Sequence, residues 1–298
     1  MKPDFLVIGA AKSGTTALWS FLRQHPQVFM PAVKEPQYFA FEEGAVPRFA
    51  GPGATIGRAI TTWDAYEALF AAAGPDARAV GEASNLYLYV PEASERIRAR
   101  LPEARLVAVL RHPADRAFSS YLHLKRQGRE PAPDFGTALD LEAARIADGW
   151  GFLWRYREMG FYGVQLQRYV DRFPRGQLLV HLYDELVADP LAVLGRTYGF
   201  LGVDTMFAPD LSARPNRGGV PRRGWRGALL SRSSPLRRLV AAATPRSLRE
   251  RAREAADRRV LVRERLDPAV RRRLTEEFSS DIEQLARILD RDLSAWLA

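Results

Sequence analysis

The chain has 298 residues, a net charge of +9 and no cysteine. That length suits one large α/β domain or two small ones, and the missing thiols exclude a disulfide framework, thiol catalysis and thiolate metal sites. No apolar run approaches ~18 residues and no leader stands before the first apolar segment, so a cytoplasmic protein is the expectation.

Phe5 to Ile8 is an apolar run that predicts a buried strand. Gly9 breaks it, a loop of small residues follows, and Thr15 and Thr16 open a helical pattern through Ala17, Leu18, Phe21 and Leu22. Gly44 to Gly57 is Gly/Pro-rich and reads as a loop or insertion. Trp63–Ala73 predicts a helix and Ala79–Glu82 a strand. Pro91–Arg100 reads as a helix. Arg105–Leu110 is the clearest buried parallel strand, apolar at five successive positions. Helices follow at about Asp115–Arg126, 137–149 and Gly163–Phe173, then a strand at Gln177–Leu182 and a helix at Pro190–Leu201 that ends at Gly202. A last helix carries Leu274, Phe278, Ile282, Leu285 and Leu289 back onto the body. Strands alternating with helices predict an α/β fold: a P-loop-like parallel sheet with helices on both faces, one domain over 1–298, and a helical C-terminal segment.

The charge is unevenly placed. Residues 222–273 hold 17 Arg against five acids, or +12, so the rest of the chain sums to −3. That segment reads as a solvated helical face, a wall that attracts an acidic or glycan substrate, or a peripheral lipid contact. Nucleic acid is not expected, because Trp225 is its only aromatic residue and no stacking platform is visible.

Three stretches carry chemistry. Strand, glycine loop and helix start together make an anion cradle, with unpaired N–H groups and the helix dipole facing the ligand. An ATP-binding P-loop has Lys directly after its second glycine. Here Lys12 stands two residues before Gly14, and only four of the 44 basic residues are Lys. A compact ammonium approaches a single bridging oxygen more readily than a planar guanidinium does. Arg111 ends the clearest strand, with Ser119 about two turns into the next helix, so the pair can hold a phosphate outside a strand end. Lys34-Glu35-Pro36 follows the first helix, and Pro36 biases Glu35 toward extended backbone. A P-loop kinase would need an acid near a strand end for Mg²⁺, where this strand offers Arg. His25, His112, His123 and His181 show no metal-ligand spacing, and no metal is expected.

Phe5 to Leu22 resembles the 5′-phosphosulfate loop of sulfotransferases that use 3′-phosphoadenosine 5′-phosphosulfate (PAPS), nearest to bacterial relatives of the heparan sulfate N- and 3-O-sulfotransferase type. Arg111 to Tyr121 resembles that family's 3′-phosphate motif. The resemblance implies that Lys12, Ser13, Gly14, Thr15 and Thr16 hold the 5′-phosphosulfate. Arg111 and Ser119, with Arg217 and Gly218 from a basic glycine-rich loop, would hold the 3′-phosphate. Glu35 would be the general base, with Lys34, Glu82 and Tyr162 near the acceptor. Glu82 stays open as a second candidate base. The family's Glu-Lys-[Ser/Thr]-Pro-x-Tyr stretch falls on Glu82-Ala83-Ser84-Asn85-Leu86-Tyr87, without the lysine that helps hold anionic glycans. The implied reaction is sulfuryl transfer to a hydroxyl or amine of a glycan, glycolipid or small molecule, releasing 3′,5′-diphosphoadenosine. A nucleotide kinase and a non-catalytic nucleotide- or glycan-binding module are the alternatives.

Overall fold

The computed structural model describes residues 2–45, 48–52, 59–212, 220–221, 261–262 and 264–298. Its centre is a parallel sheet of β1 (Phe5–Gly9), β2 (Val28–Phe29), β3 (Ala79–Ala83), β4 (Arg105–Leu110) and β5 (Leu178–Leu182). The order is β2-β3-β1-β4-β5, with Val7 opposite both Ala83 and Val107. The chain therefore leaves β1 for one side of the sheet and reaches the other side at β4. Strand C-termini next to such a reversal are where open α/β sheets bind ligands.

Alternation along β1 feeds two cores. Phe5 and Val7 face α1 (Thr15–Leu22) and a later helix at Pro190–Leu201, where Leu18, Leu22, Val193, Leu194 and Leu201 are buried. Leu6 and Ile8 face the larger core. It is filled from α2 (Trp63–Ala68), α3 (Ala93–Arg100), α4 (Pro113–Arg126), α7 (Tyr162–Val170) and a final helix, α10 (Pro268–Leu289). Helices thus cover both faces, as a buried parallel sheet requires.

Caps fix the helix ends. His112 accepts the Ala114 N–H on Nδ1 at 3.2 Å, and its Nε2 meets the Trp296 carbonyl at 2.9 Å, which ties the start of α4 to the C-terminus. Asp281 of α10 accepts the Gly163 and Val164 N–H groups at 2.8 and 3.0 Å and so caps α7 across the core.

Beyond shifted ends, such as α2 stopping at Ala68 rather than Ala73, two helical regions differ from the sequence reading. Residues 137–149 form not one helix but two, α5 (Phe135–Asp140) and α6 (Glu142–Ala147), which meet at Leu141. Asp134 starts α5 early by capping the Thr137 N–H at 2.8 Å. The chain after β5 turns directly into α8 (Tyr183–Ala188) before α9 (Pro190–Leu201). Residues 222–260 and 263 of the basic segment, with Arg217 and Gly218, lie outside the described residues. The short pair β6 (Val220–Pro221) and β7 (Leu261–Val262) flanks that segment and runs antiparallel. No described helix is long and apolar enough to cross a membrane.

Gly81 lies opposite Phe5 in the β1–β3 ladder, where an added Cβ would stand 2.5 Å from the Phe5 carbonyl oxygen and ring. Backbone cannot yield there as a side chain could. Gly81→Ala should therefore lower stability by about 1–3 kcal/mol; urea denaturation checks this, and a wild-type midpoint contradicts it.

Candidate active site

Four strand ends supply one cleft edge. β1 leads into the loop 10–14, β3 into Ser84 and Asn85, β4 into Arg111 and β5 into Tyr183. Lys12 and Gly14 both take left-handed backbone, φ 68° and 94°, which curls the loop over the start of α1. Ser13 bonds back to the Ala10 carbonyl at 3.2 Å, while the N–H groups of Gly14, Thr15 and Thr16 find no backbone acceptor among the described residues. These are the orphan donors of a helix start, and nothing acidic occupies the first turn of α1.

Lys12 sits in unusual company. Burial first, and then Arg126, Arg116 and Lys34, push its ammonium down to about 8, while among the described residues Glu35 pulls the other way. Three cations around a fourth, beside unused N–H donors, make a site that favours a polyanion.

Glu35 stands on the loop after β2, within electrostatic reach of Lys12. Its carboxylate contacts the Lys34 ammonium and accepts from the Asn85 side-chain amide at 2.8 Å. About a third of its side chain stays exposed (34%), so solvent or a substrate can reach it. The extended backbone expected before Pro36 is not what forms: Glu35 and Gln37 both have φ 61°. Such conformations cost on the order of 1–3 kcal/mol each and persist only when surroundings over-determine them. Bonds across the sheet edge do so: Glu35 N–H donates to the Ala83 carbonyl and Gln37 N–H to the Ser84 hydroxyl, both at 3.0 Å.

Arg111 lies over the Tyr183 ring, 4.8 Å from its centroid. The same ring packs against Gly14, where an added Cβ would stand 3.1 Å from it. Tyr183 thus spaces the Arg111 guanidinium from the Lys12 loop. Ser119 is half-buried on α4, and its hydroxyl has no hydrogen-bond partner among the described residues.

Two residues expected near an acceptor are internal. Glu82 is fully buried and accepts from Tyr66 and Ser84 at 3.2 and 2.8 Å. Tyr162 is 1% exposed, packed against Ser13, Arg111 and Arg116. Neither reaches a surface that an acceptor could touch, because aromatic packing around Glu82 and the start of α7 closes over them.

The sequence reading gave no part at this cleft to Tyr183, Asn85 or Arg116. Arg116 is fully buried; Nη2 donates to the Tyr156 carbonyl, while Nε and Nη1 have no partner among the described residues. An arginine on the apolar stripe of α4, with Ala117, Ser120, Tyr121 and Leu124, was the available signal. Among the described residues no cluster of His, Asp and Glu could hold a metal ion.

A model described as the sulfotransferase family matches residues 3–209. The bifunctional heparan sulfate N-deacetylase/N-sulfotransferase 2 of Bos taurus is 32% identical over 209 residues, 67% of this chain and 22% of that protein. The heparan sulfate glucosamine 3-O-sulfotransferase 3B1 of Homo sapiens is 31% identical over 202 residues, 67% of this chain and 46% of that protein. The chain therefore spans less than half the length of these curated relatives. A sulfotransferase structure from Alicyclobacillus acidocaldarius covers both chains fully, with 33% identity and a TM-score of 0.79. A sulfotransferase domain of the curacin biosynthetic pathway, 17% identical with a TM-score of 0.52 over 94% of this chain and 98% of that one, shares the fold.

An anion seated against Lys12 restores its proton affinity, so binding above pH 8 takes up a proton. Affinity for 3′,5′-diphosphoadenosine should be level just below pH 8 and weaken above it, by at most about tenfold per pH unit. Isothermal titration across that window checks this, and a flat profile above pH 8 contradicts it.

Proposed function

Since the chain belongs to the sulfotransferase family, we propose that it transfers a sulfuryl group from PAPS to a hydroxyl or amine of a glycan, glycolipid or small-molecule acceptor. The observation that carries this reading is the placement of a partly exposed carboxylate, Glu35, within electrostatic reach of a buried, cation-crowded ammonium, Lys12.

Glu35 takes the acceptor proton as the acceptor oxygen or nitrogen bonds to sulfur and the bond from sulfur to the bridging oxygen breaks. Lys12 and the N–H groups of Gly14, Thr15 and Thr16 stabilise the negative charge that gathers on the bridging oxygen and the 5′-phosphate. Ser13 shapes the loop. Arg111 and Ser119 hold the 3′-phosphate, and Tyr183 keeps Arg111 at its station. Lys34 and Asn85 aim the Glu35 carboxylate. The product is 3′,5′-diphosphoadenosine. Ala83 is 1% exposed where the resembling sulfotransferases carry a glycan-binding lysine, so the acceptor is proposed only as a class, not as heparan sulfate.

Mass-spectrometric screening with PAPS and a panel of acceptors identifies the sulfated product. With that acceptor, Lys12→Ala should lower kcat by about 10²–10³-fold or more. Glu35→Gln should lower it by about 10²–10⁴-fold with diphosphate affinity held. Wild-type turnover in Lys12→Ala would falsify the mechanism, and in Glu35→Gln would assign the base elsewhere.

A further inference from the structure

We infer that Glu82 is a positioning residue for the Glu35 loop, acting by orienting the Ser84 hydroxyl as an acceptor for that loop's backbone. The inference rests on Glu35 being the base.

Hydrogen-bond direction carries the argument. A carboxylate only accepts, so each hydroxyl aimed at Glu82 must spend its proton there and keep its lone pairs for others. Ser84 donates to Glu82 at 2.8 Å and accepts the Gln37 N–H at 3.0 Å. Tyr87 lies in the same buried shell, and its oxygen accepts the Phe39 N–H at 3.5 Å, the outer limit of a hydrogen bond. Tyr66 supplies a second hydroxyl to Glu82 at 3.2 Å. One buried carboxylate thus sets the polarity of the hydroxyl that receives the Gln37 N–H, in the segment beginning at Glu35.

That segment needs such a device. Glu35 and Gln37 both hold left-handed backbone without being glycine, and a free loop would leave it. The Glu35 N–H strap to Ala83 lies one residue beyond Glu82 on β3. Tyr66, Phe39 and Tyr87 enclose the carboxylate, with ring centroids 5.3 Å apart for Tyr66–Phe39 and 5.6 Å for Phe39–Tyr87. Burial pushes Glu82 up to about 7 even though Tyr87, Ser84, Tyr66 and the nearby Lys34 all pull it down, so the accept-only carboxylate that fixes the Ser84 direction is the form present above that pH. Retaining a carboxyl in so dry a place for packing alone would be costly, whereas a group that fixes the direction of the Ser84 hydroxyl has a use there.

The test combines hydrogen exchange with kinetics on the full chain, comparing Glu82→Gln and Ser84→Ala with wild type. A carboxamide presents a donor where the carboxylate presented acceptors, and Ser84→Ala removes the Gln37 acceptor outright while sparing the buried carboxyl. Both should speed amide exchange at residues 35–40 by tenfold or more while the rest of the sheet keeps its protection. Both should lower kcat by about tenfold to a hundredfold, with the KM for PAPS and the affinity for 3′,5′-diphosphoadenosine within threefold. Unchanged exchange at 35–40 overturns the inference, as does exchange that rises equally throughout the sheet, which would make Glu82 a core residue and no more. Wild-type kcat with local exchange raised also overturns it. Glu35→Gln is assayed alongside: full activity there removes the base assignment, whereas the exchange result judges the Glu82 network by itself.

Discussion

Crowding of positive charge around one buried ammonium is the constraint on which the site depends. Lys12 shares its surroundings with Arg126, Arg116 and Lys34, and among the described residues Glu35 is the carboxylate that offsets them. Like charges held together in a partly dry place cost free energy, which an anionic ligand with several charges relieves. The parallel sheet makes that crowding possible. Its strand order brings the C-termini of β1, β3, β4 and β5 to one edge, and each contributes to the cleft. The anion loop, the Arg111 station, the Tyr183 spacer and the straps on the Glu35 loop are therefore neighbours by topology, although up to about 170 residues separate them along the chain.

The same edge reconciles two opposed needs. A general base must stay ionised and reachable, while the leaving oxygen needs donors in a place that excludes water. In the proposed reading the base is Glu35 and the donors are Lys12 with the N–H groups of Gly14, Thr15 and Thr16, while the two carboxylates near this edge differ in burial. Glu35 is partly exposed and tied to Lys34 and Asn85, whereas Glu82 is fully buried among hydroxyls. Environment separates their parts, as it separates paired carboxyl groups in other active sites.

Much of this was legible in the sequence, for local reasons. β4 and α9 have the bounds that their residues predict, because a strand buried on both faces reads as an unbroken apolar run and because Pro190 and Gly202 punctuate a helix. Lys12 and Arg111 were visible because each stands at the end of such a run. What escaped is set by distant partners. Glu35 was expected to be extended before Pro36, but bonds to Ala83, Ser84 and Asn85, about fifty residues on, hold its loop in left-handed backbone. Glu82 read as a group near an acceptor, and only Tyr66 and Tyr87 closing over it make it internal. Tyr183 gained a part only when β5 paired beside β4.

The most direct measurement of the central claim is a competition titration of the wild-type protein with 3′,5′-diphosphoadenosine, 5′-AMP and ATP with Mg²⁺. A cleft built from Lys12, Arg111 and Ser119 should bind the 3′,5′-diphosphate at least about tenfold to a hundredfold more tightly than 5′-AMP. That is the contribution of charge-assisted hydrogen bonds to one added phosphate, about 1.5–3 kcal/mol. It should also prefer the diphosphate to ATP with Mg²⁺. Equal affinity for the diphosphate and 5′-AMP, or tighter binding of ATP with Mg²⁺, would contradict the account.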